Sequence, residues 1–134
     1  MTLERMILLG GLLHLSLLIA AAQVPKILDY RGQLARVDVH LRRLIWVHGA
    51  FIVLTLAGFG VLSLAQAVAL AGGSALARAF CGFVAVFWIA RLGVQAFIFD
   101  ESGLARTPLL KLGYHALTAV FVYLAAVYGW AALA

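Results

Sequence analysis

Residues 6–25, 44–77 and 112–134 contain no Asp, Glu, Lys or Arg. A helix rises 1.5 Å per residue, so about 20 predominantly apolar residues cross the ~30 Å hydrocarbon core of a bilayer. Each of these runs reaches or nearly reaches that length. A water-soluble fold could not bury so much uninterrupted apolar surface: 66% of the 134 residues are hydrophobic and 11% are charged, against about 25% charged in ordinary soluble domains. In lipid, every backbone N–H and C=O must find its partner inside the segment, which for long unbroken apolar runs means a helix. The expected class is all-α: a polytopic membrane protein with four transmembrane helices in an antiparallel up-down bundle, forming a single domain over residues 1–134.

The count of four rests on how the long run divides. Residues 44–77 exceed one span, and Gly72-Gly73-Ser74 offers a turn where helix propensity collapses. A second and a third helix then form a tight hairpin. Pro25 is expected to end the first helix, and Ser102-Gly103 with Pro108 to break the chain before the fourth. The expected spans are 6–23, 44–70, 76–99 and 109–133. Glu4-Arg5 followed by an apolar run ending Ala20-Ala21-Ala22 resembles a secretory leader, but that run outlasts the ~7–15-residue core of such signals. It is read as the first span.

The net charge of +5 would suggest nucleic acid in a soluble protein. Here the cations lie between apolar spans, and they read as topology signals; no nucleic-acid partner is expected. Lys26, Arg31, Arg36, Arg42 and Arg43 fall between the first two spans, and Arg106 and Lys111 before the fourth. Arg5 and Arg78 fall on the other side, and Arg91 lies within a span. By the positive-inside rule the richer loops are cytoplasmic and both termini lie on the non-cytoplasmic side, most simply of a bacterial inner membrane. Within residues 28–43, Leu34, Val37 and Leu41 recur at helical spacing among Arg31, Arg36, Asp38, Arg42 and Arg43. An interfacial amphipathic helix between the first two spans fits this pattern, its basic face toward anionic headgroups or simply toward water.

Ionisable groups inside spans are costly, so they mark the positions where function is expected first. They are His14, His48, Arg91 and His115, joined by the neutral Gln66 and Gln95. Counted inward from the cytoplasmic ends, His48, Gln95 and His115 lie about 6–8 Å deep, and His14 and Arg91 about 13 Å. On the third helix Trp88, Arg91 and Gln95 stand at i, i+3 and i+7, on one face. Arg91 has no carboxylate in any span. Its charge must be met by carbonyls, by Gln95, by a reach toward Asp100 and Glu101, or by an anionic or carbonyl-bearing ligand.

Imidazole is the usual axial ligand of a membrane b-type haem, which makes His48 and His115 candidate metal ligands for haem or another tetrapyrrole pigment, with His14 in reserve. The candidate cofactor-binding set is therefore His14, His48, Trp88, Arg91, Gln95 and His115, for haem, quinone or lipid. His40 reads as a headgroup-level residue, and the single Cys81 as a packing residue. A catalytic constellation is missing: the spans hold no titrating acid, and Ser16 and Ser63 have no base with an orienting acid.

Glycines at 10, 11, 49, 58, 60, 82, 93, 113 and 129, with small-xxx-small pairs at Ala75/Ala79 and Ala125/Gly129, point to close helix contacts and to self-association or other membrane subunits. The leading expectation is an accessory or scaffold subunit, in contact with the lipid bilayer, whose ligand site opens toward the cytoplasmic half. One rival is a small b-type cytochrome exchanging electrons with quinone. Another is an enzyme on a lipid-soluble substrate, with Arg91 holding an anionic head and a histidine as general base.

Overall fold

The computed structural model describes residues 2–27, 29–97 and 108–133. All the regular elements among them are helices: α1 Leu3–Ile27, α2 Tyr30–Leu34, α3 Val39–Ala65, α4 Ala67–Ala71, α5 Ala75–Phe97 and α6 Pro108–Leu133. Four helical segments, Leu3–Lys26, Val39–Ala65, Ala75–Gln95 and Lys111–Leu133, are long and apolar enough to cross a membrane. The fold is thus all-α with four membrane-length helices, as expected from the sequence.

The ends of the helices differ from the sequence reading for local reasons. Pro25 lies inside α1 instead of ending it. A proline removes one i→i−4 bond and crowds the carbonyl four residues back, but only Lys26 and Ile27 follow, so little helix remains to be disrupted. α3 begins at Val39, five residues before the charge-free run. Asp38 caps it: its carboxylate accepts the His40 N–H at 3.0 Å and its carbonyl accepts the Arg42 N–H at 2.9 Å. Arg42 and Arg43 therefore ride on the first turns of the spanning helix.

The single interfacial helix expected over 28–43 is divided into α2, a turn at 35–38 and the start of α3; residue 28 lies outside the described residues. Asp29 opens α2 from the left-handed region (φ 52, ψ 59), its Oδ1 accepting the Gly32 N–H at 3.3 Å. A side chain at residue 32 would press on that carboxylate, which would have to turn away and give up the cap.

At the far end, Gln66 leaves helical geometry (φ −120, ψ 27) and separates α3 from α4. The expected hairpin turn follows at Gly72-Gly73, with Gly73 at φ 76, a conformation that favours glycine. Ser74 then caps α5, its hydroxyl accepting the Ala77 N–H at 3.1 Å. Pro108 is the first residue of α6, where its missing N–H costs the helix nothing. The expected break at Ser102-Gly103 lies outside the described residues.

The chain forms two compact units, one of Gly11–Ala65 and one of Met1–Gly10 with Gln66–Ala134, so the division passes through α1. In the Gly11–Ala65 unit, α1 and α3 approach backbone to backbone. A Cβ on Gly11 would stand 3.0 Å from the Gly60 carbonyl oxygen, and one on Gly60 would stand 2.8 Å from Leu15 and 3.1 Å from the Gly11 oxygen. Leu17, Leu56, Phe59 and Ser63 are buried beside this crossing. Beyond it α3 is little covered: from residue 43 to 54 every residue except Ile45 is exposed, although Trp46 meets the ring of Tyr30.

In the other unit α5 packs along α6. Ala77, Cys81, Val84, Ala85 and Trp88 form the buried stripe of α5, and Phe121, Leu124, Val127, Tyr128 and Ala131 that of α6. Both follow the i, i+3/i+4, i+7 spacing of a helix-packing face. Residues 3–10 of α1 belong to this unit: the Tyr123 hydroxyl donates to the Met6 carbonyl at 3.1 Å, and a Cβ on Gly10 would stand 3.0 Å from the Tyr128 ring.

Candidate functional site

The polar residues of the spans are distributed over both units, and each unit uses them locally. Helical periodicity puts Trp88, Arg91 and Gln95 on one face of α5, and all three meet α6. Trp88, 2% exposed, stacks on Phe121 at 5.0 Å between centroids and 17° between planes, while Phe87 meets its edge at 5.0 Å and 84°. One turn further, the half-buried Arg91 guanidinium lies over the same Phe121, 5.2 Å from the ring centroid. A cation over an aromatic face is held by the ring quadrupole, and more strongly where water is excluded. One turn further again, the buried Gln95 amide donates to the Thr118 hydroxyl, which itself donates to the Tyr114 carbonyl at 2.9 Å.

Three successive turns of α5 are thus joined to α6 by stacking, by a cation–π contact and by a relay of hydrogen bonds. In a membrane, where apolar side chains gain little by leaving lipid, van der Waals packing and interhelical hydrogen bonds are what hold helices together. His115 lies on an exposed part of α6, its ring edge-on to Tyr114 at 5.7 Å. Asp100 and Glu101, the carboxylates considered for Arg91, lie outside the described residues.

In the Gly11–Ala65 unit, His14 is wholly buried and meets Phe59 edge-to-face, with centroids 5.6 Å apart at 77°. It sits one turn past Gly11 on the crossing with α3, near the equally buried Ser63. His48 is different: it is exposed, and its Nδ1–H donates to the Leu44 carbonyl at 2.8 Å. That bond fixes the ring on its own helix. Its neighbour Gly49 opens on empty space, with nothing within 4 Å of a Cβ placed there. The two histidines considered as a bis-axial pair, His48 and His115, belong to different units.

Among the described residues, no three His, Cys, Asp or Glu side chains converge on a metal-sized site. Sequence reasoning missed Phe59 and Phe121, the aromatic partners of His14 and of Trp88 and Arg91. The signal that could have found Phe121 is its place three residues after Thr118, on the stripe that continues through Leu124 and Tyr128. It also missed Trp46, 47% exposed, which meets Tyr30 edge-on with centroids 5.3 Å apart at 82°. Compared with protein-family models, with curated proteins and with solved structures, the chain matches none.

Proposed function

We propose that the protein is a non-catalytic accessory or scaffold subunit of a membrane assembly, built from its own copies or with other subunits, and that the N-terminal half of α3 is its docking surface. The observation that carries this reading is the bareness of residues 43–54. A lone helix can face lipid on one side without consequence, because lipid tails are as apolar as leucine. Apart from Ile45 and the edge contact of Trp46 with Tyr30, this stretch is exposed on all sides, spans about 18 Å at 1.5 Å per residue, and presents an imidazole next to a glycine within the charge-free run. His48 and Gly49 set a polar group beside a glycine with open space in front of it, where a second helix could come close, the combination found where membrane helices pair.

The polar groups elsewhere support the same reading. Trp88, Arg91, Gln95 and His14 are engaged with Phe121, Thr118 and Phe59, so they serve here as locks between helices. The proposal extends to a bacterial cytoplasmic membrane with both termini outside, on the distribution of cations already described.

Gly49 provides a clean test, because a side chain there touches nothing in its own chain. Native mass spectrometry of the protein released from lipid nanodiscs is expected to find it in a species heavier than the 14.4 kDa chain. Gly49→Leu is expected to return it to the single-chain mass while leaving its helical circular dichroism unchanged. A single chain at 14.4 kDa before any substitution overturns the proposal.

A further inference from the structure

We infer that the corner where α1 meets α2 and α3 binds the phosphate of an anionic glycerophospholipid. A cleft of about 350 Å³ opens there, at the lower end of the range for small-molecule sites. Ala22 and Pro25 of α1 form its apolar floor, Tyr30 and Trp46 its aromatic wall, and Lys26 and Arg31 bring two cations to its rim. Asp29 also lines it, one of its oxygens accepting the Gly32 N–H; the cleft therefore sets an ammonium and a guanidinium against one carboxylate and keeps a net positive charge. An ammonium supplies a compact point charge and a guanidinium a planar fork of donors, the two ways in which proteins hold phosphate.

The depth of the cleft selects a lipid as the source of that phosphate. α3 has 27 residues and is therefore about 40 Å long, some 10 Å more than the hydrocarbon core. The excess falls at its N-terminal end, which carries His40, Arg42 and Arg43, so Trp46 comes to the boundary between headgroups and acyl chains. Tryptophan and tyrosine favour that level, and Lys26 is the last residue of the membrane-length segment of α1. A phosphodiester at the rim would leave its acyl chains to run down the apolar floor past Ala22. An inorganic phosphate could use the two cations but would gain nothing from the floor or from the ring pair. Trp46 also lies within the stretch assigned to docking, but lipid adducts are counted on the single chain, so this inference and the docking role of α3 fail separately.

Delipidated protein in neutral detergent is titrated with phosphatidylglycerol or phosphatidylcholine and the adducts are counted by native mass spectrometry. Phosphatidylglycerol is expected to bind in preference. Lys26→Gln with Arg31→Gln is expected to weaken it about 30-fold, as two basic residues near an anionic surface imply. Lys26→Arg with Arg31→Lys keeps both charges and is expected to keep the preference, as is Lys111→Gln at an exposed cation elsewhere. Equal binding of the two lipids overturns the inference, as does a double-glutamine variant that folds and binds phosphatidylglycerol unchanged. Displacement of the lipid by inorganic phosphate at equal concentration overturns the assignment to lipid.

Discussion

Gly60→Leu is expected to destabilise the Gly11–Ala65 unit by about 3 kcal/mol, at the upper end of what overpacking a closely fitted interior costs. The β-carbon alone would press to 2.8 Å from Leu15 and 3.1 Å from the Gly11 carbonyl oxygen. Leu15 can rotate away, but the carbonyl belongs to the α1 backbone, so α1 and α3 must separate. Separation strips His14 and Ser63 of their burial, and a polar group uncovered in a membrane without its partners is expensive. Gly60→Ala is expected to cost less, because Leu15 can turn away from the β-carbon and the 3.1 Å approach to the Gly11 oxygen asks only a few tenths of an ångström of the backbone, whereas a leucine side chain needs far more. Titration into denaturing detergent, followed by protease access to the α1–α3 connection, measures the difference. Equal midpoints for wild type and Gly60→Leu would show that the glycine contact is not what holds these helices together.

Trp88→Ala is expected to have the largest effect in the other unit, again about 3 kcal/mol or more, as is usual when a buried aromatic is truncated to alanine. The indole fills the space between Phe87 and Phe121, and its loss also frees the ring over which Arg91 is held. Trp88→Phe keeps a ring in the stack and is expected to recover most of the stability. Gln95→Leu removes only the bond to Thr118; interhelical hydrogen bonds in membranes average about 0.6 kcal/mol, so its effect is expected to be several-fold smaller. The same detergent titration orders the three variants. A Gln95→Leu cost equal to that of Trp88→Ala would mean that the hydrogen-bond relay, and not the aromatic stack, carries the α5–α6 contact.

The four spans were legible because the physics behind them is a composition threshold: enough apolar residues between breakers, a threshold α5 meets even with Arg78 and Arg91 in it. Their ends were less so, because freedom from charge locates the hydrocarbon core and not the helix. α3 continues into the headgroup layer with Arg42 and Arg43 on its first turns, a start set by Asp38, whose capping role is visible only once the backbone turns there. The spacing of Trp88, Arg91 and Gln95 placed them on one face, and the structure turns that face to α6. Their partners were hidden for a different reason: within an apolar helix rich in phenylalanine, periodicity marks a stripe but not which ring meets which. The reading of His14 as a spare ligand likewise lacked Phe59, and the cleft beneath Tyr30 and Trp46 depends on a left-handed Asp29 that no hydropathy pattern encodes.

The account turns on whether the bare half of α3 meets protein or lipid in the membrane. A photo-crosslinking amino acid placed at residue 49 or 52 on α3, and for comparison at Val86 on α5 or Val122 on α6, both on exposed faces, reads the neighbour directly in native membranes. The account predicts discrete protein adducts from positions 49 and 52 and lipid adducts alone from 86 and 122. Lipid adducts alone from all four positions would contradict it.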